Sequence, residues 1–263
     1  MFSTLEIELR QAVAYVWMNR PDVHNAFNAQ LIHDLTAAFQ QLDADEQVRV
    51  VVLAGRGKSF SAGADLNWMK TAGESSIEDN QADAMRLALM LNMIAMLSKP
   101  TIARVHGAAF GGGMGLASAC DICIASDNAS FATSEVKFGI IPATISPYVL
   151  RAIGERQAYR YFQTAERISA ATALTLGLAH EVVAADQLDQ KLQDIIEALR
   201  VGGPKAQAAS KQLIRAVIHQ PFSEAVLADT AQRIAGLRST PEAREGLAAF
   251  LEKRTPSWTA TND

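Results

Sequence analysis

The sequence predicts an α/β fold with a largely parallel sheet. Three observations point that way. "VRVVVLAG" (Val48–Gly55) is a near-continuous β-branched run of the kind that fills a strand buried on both faces. Strand-like stretches alternate with helical ones. With 263 residues, 49% of them hydrophobic and 20% charged, the chain can bury roughly 70–75% of its unfolded surface and so build a full core.

"LEIEL" (Leu5, Ile7, Leu9) and "AVAYVWM" alternate as two strands of an opening hairpin. Asn28 then caps a helix whose Leu31, Leu35, Ala38, Phe39 and Leu42 share one face. After the β-branched strand come a loop, a helix ("DAMRLALMLNMIAML"), a strand ("PTIARV"), a glycine-rich segment leading into a helix, and a strand ("DICIAS"). From Asp186 the texture is helical, and the last helix has Thr240 as its cap and Pro241 at its first position. Such helices rarely hide every apolar face among themselves, so they pack on the α/β core or on neighbouring subunits, and we divide the chain into a core (1–200) and a C-terminal helical region (201–263).

A net charge of −4, with Lys and Arg scattered, gives no field for a nucleic-acid backbone. The start "MFSTLEIELR" has neither the basic-then-apolar order of a signal peptide nor the bias of a transit peptide, and "LALMLNMIAML" is too short to span a bilayer. Both point to the cytoplasm, with no membrane partner. Cys120 and Cys123 sit in an apolar run without a second pair and read as core thiols. His33, His106, His180 and His219 have no metal-ligand spacing, so no metal is assigned.

Two glycine-bearing loops each lie between a strand and a helix, "GRGKSFSAGADLNWM" and "GAAFGGGMGLASACD" (Gly107–Asp121). Neither fits a dinucleotide or P-loop pattern, since Leu116 stands where the third glycine is needed and "GRGKS" is too short. Gly111–Gly113 either permit close helix–strand packing or present bare backbone. In the second case each loop offers one N–H to a carbonyl oxygen that becomes anionic.

"FSAGADL" (Phe60–Leu66), "KPTIARVHGAAFGGGMGLASACDICIAS" and "FATSEVKFGIIP" together resemble the enoyl-CoA hydratase/isomerase (crotonase) superfamily, in the family's order along nearly the whole chain. The resemblance implies a spiral of ββα turns followed by a C-terminal helical region that forms trimers, often paired into hexamers. It implies an acyl-CoA substrate, with coenzyme A part of the thioester and no other cofactor. It assigns the oxyanion hole to the N–H groups of Ala62 and Gly112, and the catalytic carboxylate to Glu135. Coenzyme A contacts map to Val23, His24 and Ala26, to Ala62, Gly63, Ala64, Asp65 and Leu66, and to Lys253, which would reach a neighbouring subunit. Trp68, Met69, Met114, Ile145 and Tyr148 are candidates for the acyl pocket.

At one catalytic position the chain departs from the family. Hydratases with two glutamates carry the second three residues after the oxyanion glycine, and here that residue is Gly115. The wording of "IIPATISPYVLRAIGERQAYRYFQTAERISA", with "AGADLNWMK" and "GGGMGL", is similar to bacterial hydratases of branched glutaconyl-CoA esters, such as the methylglutaconyl-CoA hydratases, and the wording around "SEVKFGIIPATISPY" favours a hydratase. One carboxylate also suffices for a 3-enoyl to 2-enoyl isomerase. A binding protein without catalysis is the third reading, against which the retained Glu135 argues.

Overall fold

The computed structural model describes residues 2–259. Leu5–Arg10 (β1) and Val13–Met18 (β2) form a hairpin, with Gln11 and Ala12 both at positive φ as a two-residue turn of matching twist requires. Next come Ala29–Ala44 (α1), Val50–Gly55 (β3), Leu66–Glu74 (α2), Ile77–Met96 (α3) and Thr101–Val105 (β4). Ala108–Phe110 (β5), Gly112–Ala119 (α4), Ile122–Ser126 (β6) and Ser130–Ala132 (β7) follow. The chain continues through Ser146–Thr164 (α5), Ile168–Ser169 (β8), Ala170–Leu176 (α6), Glu181–Val183 (β9) and Leu188–Arg200 (α7). It ends in Pro204–Val217 (α8), Glu224–Arg238 (α9) and Pro241–Leu251 (α10).

Six strands form one sheet in the order β1-β2-β3-β4-β6-β9, parallel throughout except for the opening hairpin. Residues on a strand alternate between faces, and the sheet is buried on both. Val16, Met18, Val51, Leu53, Ala103 and Val105 pack with Leu31, Leu35 and Phe39 of α1 and Met90, Leu91 and Ile94 of α3. Val13, Tyr15, Val50, Val52, Ile102 and Ile124 face the other way, onto Leu188, Leu192 and Ile196 of α7. The β-branched run of β3 is thus consumed on two sides. Cys120 and Cys123 are buried free thiols; burial pushes both up, Cys123 to about 12, so they stay protonated at neutral pH.

A second, three-stranded sheet, β5-β7-β8, lies inside what reads in sequence as loop. Ala109, Phe131 and Ile168 point from it into the core, which turns the alternate residues Phe110 and Ala132 toward a cleft. α8 docks through Lys211, whose Nζ is 2.7 Å from Asp121 and donates to the Lys99 carbonyl at 2.9 Å. Beyond this the C-terminal helices bury little: α8 and α9 contain no buried residue and α10 only Ala249, while Phe222, Leu227, Leu247, Phe250 and Leu251 stand exposed. Among the described residues no helix is long and apolar enough to cross a membrane.

Candidate active site

The two glycine-bearing loops lie edge to edge. Ser61 N–H donates to the Ala108 carbonyl at 3.0 Å, and Phe110 N–H returns to the Ser61 carbonyl at 2.9 Å. Only bare backbone permits this approach: a Cβ on Gly113 would sit 2.3 Å from the Ser61 carbonyl oxygen, and one on Gly112 would sit 2.8 Å from Phe27 Cε2. Gly111 has φ +49° and hands its N–H to the Ala132 carbonyl at 2.8 Å, which starts α4 with its first-turn N–H groups unspent. Gly112 N–H therefore has no acceptor among the described residues, as an oxyanion donor requires.

The partner donor differs from the one expected. Ala62 N–H is held by the His24 carbonyl at 3.0 Å, so it is not free for a substrate oxygen. Two residues on, Phe27 N–H donates to the Gly63 carbonyl at 2.7 Å and Asp65 N–H to the Phe27 carbonyl at 2.9 Å, bracketing Ala64 in an isolated bridge. That bridge turns the Ala64 N–H away from Phe27, and it has no acceptor among the described residues. Ala64, assigned in sequence to coenzyme A binding alone, is the available donor in this loop.

Glu135 opens a short helical turn, residues 135–138, directly after β7. Its Oε1 lies 3.1 Å from where a Gly111 Cβ would be, which sets the carboxylate against the N-terminus of α4. Its Oε2 is buried without a hydrogen-bond partner among the described residues. Burial raises the Glu135 pKa above the ordinary carboxylate value, offset in part by a hydrogen bond from its own backbone. A buried carboxylate oxygen without a partner costs stability, and this one lies beside two N–H groups that have no acceptor among the described residues.

These groups share a cleft of about 470 Å³, within the usual range for small-molecule sites. Ala62, Gly63, Ala64, Leu66, Trp68, Met69, Gly112, Glu135 and Ile145 line it as the sequence suggests. Phe27, Leu87, Ser134, Lys137, Phe138, Ile140, Ile141, Thr144 and Arg167 line it as well. Several of these adjoin Glu135 in sequence and could have been found by contiguity. Arg167 arrives only through the pairing of β8 with β7, and its guanidinium stacks 5.3 Å from the Phe110 ring centroid.

Other expected positions are corrected. Met114 is fully buried in the core and Gly115 lies beneath Ile145, so neither reaches the cleft. Tyr148 lines a separate cavity with Cys120, Asp121 and Lys211, whereas Ile145 lines the cleft. The Asp65 carboxylate is spent on structure. It accepts from Arg20 at 2.9 Å and from Asn67 N–H at 3.0 Å, capping α2; burial pulls its pKa up, but these bonds outweigh that and hold it below the ordinary range. Val23, His24 and Ala26 do not line the cleft and adjoin its Ala62 end, where the His24 carbonyl is already engaged. Lys253 is exposed in a left-handed turn after α10 and lines no part of its own chain's cleft.

The family model for enoyl-CoA hydratase/isomerase matches residues 8–261. The short-chain-enoyl-CoA hydratase of Clostridium acetobutylicum is 34% identical over 254 residues, which is 94% of each chain. Among solved structures, an enoyl-CoA hydratase from Shewanella pealeana superposes with a TM-score of 0.95 at 43% identity, covering 98% of this chain and 96% of that one. An enoyl-CoA hydratase from Mycobacterium smegmatis gives 0.91 at 34% identity, covering 98% and 99%. The chain belongs to the enoyl-CoA hydratase/isomerase family and has its crotonase fold.

Proposed function

We propose that the protein hydrates a 2-enoyl-CoA thioester whose acyl group carries a second carboxylate, 3-methylglutaconyl-CoA being the model substrate. The observation that carries this reading is the half-buried Glu135 carboxyl, whose Oε2 has no partner among the described residues, beside the free N–H groups of Gly112 and Ala64. In the reaction Glu135 takes a proton from a water whose oxygen bonds to the β-carbon. The electron pair of the double bond shifts toward the thioester, and the carbonyl oxygen gains its charge between the two N–H donors. Glu135 then returns the proton to the α-carbon. Proton transfer and oxyanion binding both come from the chain, so the reading uses no cofactor beyond the coenzyme A of the substrate.

The charge balance of the cleft supports an anionic acyl end. Among its described lining residues Glu135 is the single carboxylate, whereas Lys137 and Arg167 are cations with no described carboxylate within salt-bridge distance. The substrate's own distal carboxylate orients the water that Glu135 activates. Purified protein is therefore expected to hydrate 3-methylglutaconyl-CoA at least about tenfold more efficiently than crotonyl-CoA. Equal kcat/KM on the two would remove the role of the distal carboxylate. The single carboxylate also favours a second reading, double-bond isomerisation, which predicts turnover of 3-hexenoyl-CoA and hydration of neither ester.

The exposed apolar faces of α8, α9 and α10 support assembly into a trimer or a pair of trimers, which bury those faces between copies. Light scattering at micromolar concentration is expected to give a mass three or six times that of one chain. A stable monomer would overturn this.

A further inference from the structure

Positions 111 and 115 are one helical turn apart, and Gly115 N–H donates to the Gly111 carbonyl at 3.1 Å. Gly111 is the non-helical cap of α4 and Gly115 lies inside its first turns. A Cβ on Gly111 would sit 3.1 Å from Glu135 Oε1. A Cβ on Gly115 would sit 2.3 Å from Ile145 Cγ2 and 2.8 Å from Ile145 Cβ, and Ile145 and Glu135 line the same cleft. Ile145 is only 2% exposed and lines the cleft where Gly115 does not.

Ile145 has little freedom to move aside. Its carbonyl accepts from Tyr148 N–H and Val149 N–H, each at 3.1 Å, at the start of α5, and its β-branched side chain is stiff at χ1. A side chain at position 115 and an isoleucine at 145 therefore exclude one another.

We infer that Gly115 and Ile145 form one steric unit that keeps the cleft to a single protein carboxylate, which makes Ile145 a specificity-determining residue. Resting on the hydratase reading above, the inference explains why the second polar contact to water comes from the substrate. With Ile145 seated on the bare Cα of Gly115, α4 presents no side chain next to Glu135, and that wall is aliphatic.

A double-mutant cycle tests this with Gly115→Glu, Ile145→Gly and the pair, read both by thermal unfolding and by kcat/KM on crotonyl-CoA and 3-methylglutaconyl-CoA. Gly115→Glu alone is expected to lower the Tm and to reduce kcat/KM on both esters about tenfold or more. In the pair the Tm loss should be smaller than the sum of the two single losses. Its kcat/KM on crotonyl-CoA should rise about tenfold over the native enzyme, narrowing the ratio between the esters. Additive Tm losses would overturn the steric unit, and a coupled Tm with an unchanged ester ratio would overturn the specificity role. If the native enzyme hydrates neither ester, the hydratase reading fails while the Tm arm still decides the steric unit. Should Gly115→Glu not fold, Gly115→Ala against Ile145→Gly repeats the stability cycle with a smaller side chain at position 115, since Ile145 Cβ itself lies 2.8 Å from the new Cβ.

Discussion

Glu135→Gln is expected to lower kcat by about 10²–10⁴-fold, the usual range for loss of a general acid or base and equivalent to about 3–5 kcal/mol. The amide keeps the size of the side chain, so affinity for the acyl-CoA should stay within a few-fold. The same variant should be more stable than the native protein at neutral pH. Burial raises the folded pKa of Glu135 above its unfolded value, so the folded chain holds this proton more tightly. Its contribution to stability is full below the unfolded carboxylate pKa and is lost as pH rises through the folded one. Glutamine does not titrate. The Tm advantage of Glu135→Gln should therefore appear at pH 7–8 and shrink as pH is lowered into the carboxylate range. Native kcat/KM should rise with pH through that raised pKa, because the ionised form is the base. Near-native turnover by Glu135→Gln in a steady-state assay would overturn its role, and an unchanged Tm difference across pH would contradict the burial argument.

Gly113→Ala is the second variant with a large expected effect. Its Cβ would lie 2.3 Å from the Ser61 carbonyl oxygen and 3.0 Å from Ser61 Cβ. Ser61 is fully buried, with its hydroxyl donating to the Asn25 carbonyl at 2.8 Å, so it cannot swing away. One methyl group must then separate the two loops that carry the oxyanion donors. Overpacking of this kind costs about 1–3 kcal/mol, which for a chain of this size is a Tm loss of roughly 3–10 °C. A displacement approaching 1 Å between Gly112 and Ala64 should cost kcat/KM on the order of 10²-fold. Gly73→Ala is the control, since a Cβ there meets nothing within 4 Å. Equal Tm and kcat/KM for the two variants would show that the loops are not held at contact distance.

The large sheet and the helix packed on it were legible because their signals are local. Alternation in "AVAYVWM", the β-branched run of β3 and the Asn28 cap, which accepts from Leu31 N–H at 2.9 Å, each act within a few residues of themselves. Glu135 and Gly112 were legible for a related reason, since each lies inside a contiguous stretch whose wording identifies it. Strands β5, β7 and β8 were not, because two or three residues carry no periodicity and become strands only when the partners across from them arrive.

By itself, the sequence determined the family and the α/β class, and it singled out Glu135 and Gly112, which the structure places in one cleft. Tertiary structure decided the rest of the site. Ala62 and Ala64 are equivalent in the string "SAGAD", and the choice between them was made by the His24 carbonyl, which engages one N–H and leaves the other free. Tyr148 and Ile145 are three residues apart, yet one lines a separate cavity and the other the cleft. Gly115 reads as the loss of a side chain until Ile145, thirty positions later, is found in its place. An N–H is a donor, and a glycine a socket, only in relation to the atom opposite, and for these residues that atom is brought there by folding from a distant part of the chain.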